Sequence, residues 1–448
     1  MFQRIQFCSF VVRCVVAALA VGALVATVPR CAKAEDSAQA RRDRCAAALR
    51  DAAHPTDNFT PVTLRVLMPS IEPVPTTDGL INLSYVAQVT NTGGPEGANL
   101  RPVRREPADI LEVVAVDPLA DFAATGRNVQ VDGEGNDVAG KVMRFGSSSN
   151  APGTVSFITR LPAESGGLML FDITYSDPTQ VPRLLAHAVT IAIPVGSPSI
   201  LALTDPVPVG CVPLAVLHPP LVGHGWTAIG GCCTAAMYHR DSIQPVNGDL
   251  KPAGHFAIDF MQLGPNNSAR NGPFEALSSW WGYGTPVLAV AQGVVAEVVD
   301  SMPDQQPVGT VTPDAKTPTT AGGNHILEDI GAGRYVFYAH LKPGSIPARV
   351  RKGAVLRPGE LIGRVGNSGN STAPHMHFQL MNHPSDLNAT GLPFVFDTQL
   401  LEGRLTEDQA GTVPGGETIT TPIDRTGAGV KRDLMPTRND VSGYNLSR

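Results

Sequence analysis

The 448-residue sequence lacks the features of a nucleic-acid-binding or mainly helical protein. Aromatic residues make up only 6% of the chain, charged residues make up 17%, and the net charge is −6. A negative chain without basic clusters gives no support for nucleic acid as a partner. Glycine (45) and proline (39) are plentiful, which favours short strands joined by turns over long helices.

Long hydrophobic runs are also missing. The most apolar stretch, residues 15–28, is uncharged but shorter than the about 20 residues that span a bilayer. Arg4 and Arg13 precede it, and the small residues Ala32 and Ala34 follow it. This pattern predicts a secretory signal peptide at residues 1–34, with a retained anchor as the alternative. We therefore expect an exported protein, periplasmic or extracellular, with no membrane span after cleavage.

Cysteines are few. Those that remain after cleavage are Cys45, Cys211, Cys232 and Cys233, and an oxidising compartment would allow them to form disulfides. Adjacent cysteines do not pair easily, so we expect Cys211 to pair with Cys232 or Cys233, although the sequence leaves other pairings open. The absence of CxxC spacing argues against a cysteine zinc site.

Composition divides the chain into segments. Residues 59–203 carry short runs rich in β-branched residues, of which residues 81–85 alternate apolar and polar before Val86 and Ala87 break the pattern. The spacing of these runs is typical of an antiparallel sandwich. The interpretation is a signal peptide at 1–34, a short helical segment at 35–58, an immunoglobulin-like β-sandwich accessory domain at 59–203, a linker at 204–222, a second β-rich domain at 223–402 and a flexible tail at 403–448.

Two stretches of the second domain, residues 264–282 and 301–322, lack periodicity and are expected to be long surface loops that shape ligand choice. Trp280 and Trp281 close the first of them. This aromatic pair could pack in the core or line a groove.

The histidines are the most informative residues. His375 and His377 lie two apart in a predicted strand, where side chains at i and i+2 share a face about 6.6 Å apart. The same domain contains His340 and the segment "GHFAID", with His255 and Asp259. Each of these alone is more simply a packed or solvated residue, but together they supply three ligands for a catalytic zinc and two further imidazoles for acid–base work.

The spacing of His255 and Asp259 adds a geometric condition. Residues four apart in a straight strand lie about 13 Å from each other, too far to share one ion. The chain must therefore bend or form a helical turn between them if both are ligands.

The motifs resemble those of the lysostaphin/LytM-type zinc endopeptidases, which cut the peptides of bacterial cell walls. The matching segments are "GHFAID", "YGTPVLAVAQGVV", "YAHL" and "GNSGNSTAPHMHFQL", in the family's order over roughly residues 250–382. The resemblance implies a small antiparallel β-sheet domain with a substrate groove, one zinc ion held by His255, Asp259 and His377, and catalytic roles for His340 and His375. It also implies a peptidoglycan peptide as substrate.

One residue departs from the family pattern. Ala257 stands where the family has glycine, and alanine would be strained if the bend required a positive φ. His239 and Arg240 precede the motifs and could reach the site, but surface placement is favoured. Tyr338 is expected to be structural, with binding of the substrate carbonyl as the alternative, and His187 is expected to be a structural or surface residue.

The function predicted from the sequence is that of an exported zinc metalloendopeptidase of the cell wall. One alternative is a non-catalytic wall-binding module or activator of other wall hydrolases, and another is an exported protease with a protein substrate. Because all five expected positions are filled, the sequence favours the enzyme. It does not indicate an oligomeric state.

Overall fold

The computed structural model describes residues 30–53, 60–92, 95–96, 101–102, 107–130, 136–144, 157–193, 198–233 and 239–445. Most of the predicted signal peptide, residues 1–29, lies outside this part of the chain. Among the described residues, no helix combines the length and hydrophobicity that a membrane span requires. The helices are α1 (Arg30–Asp51) and α2 (Glu407–Thr412), with short 3₁₀ helices at Pro178–Gln180, Leu277–Ser279 and Pro313–Lys316.

Fifteen of the strands belong to the N-terminal part of the chain. They are β1 (Val62–Val66), β2 (Val74–Pro75), β3 (Ile81–Asn91), β4 (Pro95–Glu96), β5 (Arg101–Pro102), β6 (Ala108–Asp117), β7 (Ala123–Ala124), β8 (Arg127–Asn128), β9 (Val142–Arg144), β10 (Phe157–Ile158), β11 (Arg160–Leu161), β12 (Ser165–Tyr175), β13 (Leu184–Ala192), β14 (Ile200–Leu203) and β15 (Val207–Pro208).

Two antiparallel sheets pack face to face in this N-terminal part, which we call the sandwich. One has the strand order β1-β3-β12-β9-β10 and the other the order β11-β6-β13-β14. Tyr85 and Phe171 of the first sheet and Leu185 and Ile191 of the second share one buried core. The immunoglobulin-like topology stays a prediction.

Strands β3 and β12 are buried on both faces, which explains why the alternation of residues 81–85 breaks down. Tyr85 points into the sandwich core, whereas Val86 and Leu170 point to the opposite face, where Ile243 and Leu250 cover them. A strand with two covered faces reads as a continuous apolar run.

The disulfides differ from the expected pairing. Cys45 is bonded to Cys211 with a Cα–Cα distance of 5.9 Å, and Cys232 is paired with Cys233, so the pairing of Cys211 with either of these is wrong. The reason is the position of α1, which packs against β13 and β15 and carries Cys45 to the segment that follows the sandwich. Local sequence could not predict this tertiary contact.

The second half of the chain, which we call the C-terminal half, contains the remaining strands. They are β16 (Ala215–Leu217), β17 (Gly223–Ile229), β18 (Gln244–Val246), β19 (Asp249–Lys251), β20 (Ile258–Gln262), β21 (Pro286–Leu288), β22 (Gly293–Val299), β23 (Asn324–Gly331), β24 (Arg334–Leu341), β25 (Val355–Leu356), β26 (Leu361–Arg364), β27 (Met376–Met381), β28 (Gly391–Leu392), β29 (Phe394–Phe396), β30 (Gln399–Arg404), β31 (Gly429–Lys431) and β32 (Asp440–Tyr444).

One large antiparallel sheet organises the C-terminal half, in the order β25-β22-β23-β24-β27-β20-β17-β32-β30-β31. One face of it is covered, and Phe260, Phe378 and Phe396 form an aromatic cluster in that core. Since side chains alternate along a strand, Asp259 and His377 emerge on the opposite face.

The expected flexible tail is wrong. Residues 440–444 form β32, which lies between β17 and β30, and Tyr444 is buried in the core beneath the sheet. The Gly- and Thr-rich composition of residues 411–422 predicted a loose segment, but a strand of five residues beyond it has partners on both sides. The expected linker is also fixed, because β16 pairs in parallel with β29.

The predicted mainly β fold with antiparallel sheets is confirmed. The pairs among the named strands are antiparallel apart from β16 with β29.

The sandwich core contains a histidine whose charge state links stability to pH. His187 is fully buried, its Nε2 lies 2.8 Å from the Tyr85 hydroxyl, and burial lowers its pKa from 6.5 to about 3. Between these two pH values the unfolded chain binds a proton that the folded chain excludes, so this contribution to stability is lost as the pH falls below 6.5.

We expect His187→Gln, which cannot titrate, to be less sensitive to acid than the wild type. The free energy of unfolding, measured by urea titration at several pH values below 6.5, should fall more steeply for the wild type, by about 1.4 kcal/mol per pH unit. Parallel curves for the two proteins would contradict a neutral buried His187.

Candidate metal centre and its histidines

The centre of the site is a pair of residues opposite each other on adjacent strands. Asp259 on β20 and His377 on β27 are register partners, so their side chains leave the sheet on the same face. Asp259 Oδ1 lies 3.0 Å from His377 Nδ1. Phe260 and Phe378, the next residues on each strand, anchor the pair by packing into the core below.

The hydrogen bonding of His377 leaves one ring nitrogen for Asp259. Its Nε2 lies 3.0 Å from Gln379 Oε1, and the amide nitrogen of Gln379 in turn donates to Met381 Sδ. An amide oxygen accepts, so His377 Nε2 carries a hydrogen. In the neutral ring Nδ1 then presents its lone pair to Asp259.

His239 completes the cluster. Its Nε2 lies 3.3 Å from Asp259 Oδ2, and its ring meets that of His377 edge-on, with 4.7 Å between the ring centroids. Gly254 permits this approach, because a Cβ there would lie 3.1 Å from the Cβ of His239. The expected surface placement of His239 and Arg240 is therefore wrong. Arg240 is almost completely buried.

His375 joins the same carboxylate from the position two residues before His377. Its Nε2 lies 3.4 Å from Asp259 Oδ1, and its Nδ1 lies 2.8 Å from the carbonyl oxygen of Ala373. Nδ1 is therefore the donor, and Nε2 of the neutral ring is the basic nitrogen.

The backbone turns His340 toward this group. Ala339 is the register partner of His377, so in a regular strand His340 would point to the other face. His340 instead has φ of +60°, and β24 is irregular against β23 between Asn324 and Ile326. The ring consequently lies 4.6 Å from His375, centroid to centroid, and its Nδ1 lies 2.8 Å from the Ser368 carbonyl oxygen.

Residues 301–322 hold the segment that leads to His375. The backbone nitrogen of Asn367 donates to Asp304 Oδ1 at 2.7 Å, and the nitrogen of Gly309 donates to the Thr372 carbonyl. Although this stretch lacks periodicity, as a loop should, its contacts make it a wall of the site.

The electrostatics of the cluster centre on Asp259. Burial opposes its ionisation, but His239 and His375 hold the pKa of the Asp259 carboxyl well below its ordinary value. Burial likewise opposes protonation of His239 and His375, but Asp259 outweighs it and raises the pKa of each. His340 behaves differently, because burial and the neighbouring His375 lower its pKa well below 6.5.

His255 does not join this cluster. It lies in the turn at residues 253–256 and is buried, with Nε2 3.0 Å from the hydroxyl of Ser84 in the sandwich. Burial and Arg240 lower its pKa well below the ordinary value. The structure therefore does not assemble the ligand set expected from "GHFAID", because the turn sends the ring to the sandwich while Asp259 faces His377. Ala257 is not among the residues with positive φ, so it carries no such strain.

The residues that fit a metal ion are His239, Asp259 and His377, which offer ligand atoms all within 4.8 Å of one another. Two nitrogens and one carboxylate oxygen are donors that zinc accepts, with a fourth position left for water. His377 and His375 both spend their other nitrogen on an oxygen acceptor. His377 Nδ1, His239 Nε2 and the Asp259 carboxylate thus converge, and a bound cation would hold these groups together in their deprotonated forms.

The sequence signal for His239 was hidden by distance. It stands 20 residues before Asp259 in the sequence, and a closer histidine in "GHFAID" matched the motif spacing. Gly254 leaves room for His239, but this contact is tertiary.

The remaining predicted residues are placed as follows. Tyr338 is structural, since its hydroxyl donates to Glu328 Oε2 and accepts from the nitrogen of Val290. Trp280 packs in a small core against Phe274. Trp281 is 38% exposed and lines a cavity of about 730 Å³.

Part of the chain is similar to known proteins. Residues 280–389 match the sequence model of Peptidase family M23. Lysostaphin from Staphylococcus simulans is 30% identical over 148 residues, which are 33% of this chain and 24% of that protein. Glycyl-glycine endopeptidase ALE-1 from Staphylococcus capitis is 32% identical over 115 residues, 25% of this chain and 26% of that protein. The chain thus matches about a quarter of the length of these relatives.

Two solved structures are also similar. The catalytic domain of lysostaphin from Staphylococcus simulans is 24% identical and aligns with 39% of this chain and 88% of that chain, with a TM-score of 0.20. A zinc-containing peptidase from Vibrio cholerae is 13% identical and aligns with 78% of this chain and 90% of that chain, with a TM-score of 0.23.

We expect zinc binding to differ between variants of His239 and His255. His239→Ala should abolish stoichiometric zinc binding by the full chain, because it removes a ligand, whereas His255→Gln should retain one zinc per chain. Metal analysis after dialysis measures both. Loss of zinc from His255→Gln alone would restore the ligand set expected from the sequence.

Gln379 should tune affinity without being a ligand. Gln379→Ala removes the acceptor that orients His377, and such changes cost about 10–100-fold in metal affinity. Gln379→Glu, which keeps an acceptor oxygen, is the matched control and should stay close to the wild type. Competition with a chelating dye gives the dissociation constants, and equal values for all three proteins would contradict the role of Gln379.

Proposed function

We propose that this chain, whose residues 280–389 match the sequence model of Peptidase family M23, is an exported zinc metalloendopeptidase that hydrolyses peptide bonds of peptidoglycan. The family match supports a peptidase. Zinc, the individual residue roles, export and the substrate are parts of the proposal.

The observation that carries the proposal is the convergence of His239, Asp259 and His377 within 4.8 Å, with His375 and His340 against the same group. Three ligand groups beside two further imidazoles are what metal-assisted amide hydrolysis requires. A binding module would need no such arrangement.

Zinc, when bound, would lower the pKa of a coordinated water and polarise the scissile carbonyl. We assign His375 as the general base, because its Nδ1 is committed to the Ala373 carbonyl and its Nε2 remains to accept a proton from the attacking water. Ser371 supports this orientation, with its hydroxyl 3.2 Å from His375 Nδ1.

We propose that His340 stabilises the negative charge that develops on the carbonyl oxygen, or donates a proton to the leaving amine. The Ser368 carbonyl fixes its Nδ1, and the left-handed backbone at this residue aims the ring at His375. A non-glycine residue with positive φ at a site is a constraint that the surrounding structure must maintain.

Peptidoglycan is proposed as substrate from the motifs shared with wall endopeptidases and from the relatives. The name of the relative ALE-1 describes a glycyl-glycine endopeptidase, so a peptide of consecutive glycines belongs in the substrate panel beside purified sacculi and a soluble protein. Export rests on the signal-peptide pattern of residues 1–34.

We expect the wild-type chain to release muropeptides from sacculi, chelation to stop the release and zinc to restore it. His375→Ala should retain zinc and lose at least about 100-fold in turnover, because general-base assistance contributes that much or more. Mass spectrometry of the released fragments identifies the cleaved bond.

His218→Ala is the matched control, since His218 pairs with Asp397 outside the cluster, and it should keep full activity. Wild-type turnover by His375→Ala would overturn the assignment of the base. Zinc binding by the wild type without hydrolysis of any substrate would favour the wall-binding module, and cleavage of the soluble protein alone would favour the protein substrate.

A further inference from the structure

The residue after His239 is tied to the sandwich. Arg240 has only 1% of its side chain exposed and pairs with Asp172, which is completely buried, at an Nη1–Oδ2 distance of 2.7 Å. The same guanidinium donates to the Ser84 hydroxyl at 2.9 Å and to the Cys233 carbonyl at 2.7 Å.

The two sandwich residues form one receptor for this guanidinium. Ser84 on β3 and Asp172 on β12 are register partners, so their side chains share the sheet face that Ile243 and Leu250 cover farther along. Apolar contacts have no preferred direction, so they alone would not fix the orientation of the Arg240 side chain. The planar guanidinium is fixed in orientation, because each of its hydrogen bonds has a set direction.

The position of Arg240 in the chain transmits this constraint to the metal centre. His239 and Arg240 are consecutive, and the hydrogen bond to Cys233 connects the two flanks of residues 234–238. With Arg240 held, the backbone of His239 is held, and its ring stays against Gly254 and Asp259.

We propose that Arg240 is a positioning residue for His239, and that the sandwich supplies, through Asp172 and Ser84, groups that the metal centre needs to reach full affinity. This inference rests on the proposed function, in which His239 is a zinc ligand. The sandwich is then part of the enzyme's site rather than a module that only binds wall material.

The energetics of buried ion pairs favour a positioning role over a purely stabilising one. Replacing a buried pair with apolar side chains of similar size is often neutral or stabilising, whereas removing one partner leaves an uncompensated charge. Stability alone therefore gives no reason to place Arg240 against Asp172.

The first test removes both charges at once, so that no unpaired charge remains. The full-length double variant Arg240→Met/Asp172→Val should fold with a melting temperature near that of the wild type, yet bind zinc about 10–100-fold more weakly. The cobalt(II)-substituted protein should show an altered visible spectrum, since His239 would no longer be fixed. Zinc affinity and spectrum equal to the wild type in the folded double variant would overturn the proposal.

The second test compares two hydroxyls of the sandwich that both contact the C-terminal half. Ser84 accepts from Arg240, whereas Thr77 contacts Asp440 and Thr437, neither of which is next to His239 in the chain. Ser84→Ala should weaken zinc binding at least several-fold, because it removes a hydrogen bond that orients the residue next to a ligand. Thr77→Val should leave the zinc affinity within about twofold of the wild type. This comparison decides the matter if the double variant does not fold, and equal affinities for the two variants would refute the inference.

The two proposals fail in different ways. A wild-type chain that binds no stoichiometric zinc contradicts the proposed function itself. A wild type that binds one zinc, with variants that bind it equally well, contradicts only the role of Arg240. Arg240→Lys keeps a buried cation beside Asp172 and should bind zinc more tightly than the double variant Arg240→Met/Asp172→Val.

Discussion

A partly buried carboxylate surrounded by imidazoles is the constraint on which the rest of the site depends. Asp259 meets His377 across two adjacent strands, and its Oδ2 lies near His239 while its Oδ1 lies near His375. Taking a carboxylate out of water is costly unless positive charge or hydrogen-bond donors compensate. The sheet register, the space that Gly254 leaves for His239 and the left-handed backbone at His340 place ring nitrogens around this one group.

How far the sequence could lead is seen by comparing the histidines. The period of two predicted that His375 and His377 would share a face, and strand geometry is local enough for such a rule to hold. His239 could not be found this way, because its approach depends on the contact with Gly254 and on Arg240, which docks on strands far away in the chain. His255 was chosen for its spacing to Asp259, but it lies in a turn, where sequence spacing does not determine the direction of a side chain.

The same distinction applies to the fold. Short β-branched runs and abundant turn residues predicted a mainly β protein, since these are local preferences. The partners of the strands are not local. Val86 and Leu170 lie under Ile243 and Leu250. The alternating pattern is interrupted because this second face of the strand is covered by residues that are distant in the sequence.

The location of β32 also bears on how the molecule is made. Residues 440–444 lie between β17 and β30, two strands that cannot pair with each other while that place is vacant. During synthesis both would present open hydrogen-bonding edges until the ribosome has delivered residue 444, and open edges attract other chains. The large sheet therefore closes late, and a nascent chain stopped before this strand carries every candidate ligand and catalytic histidine without the finished scaffold that holds them.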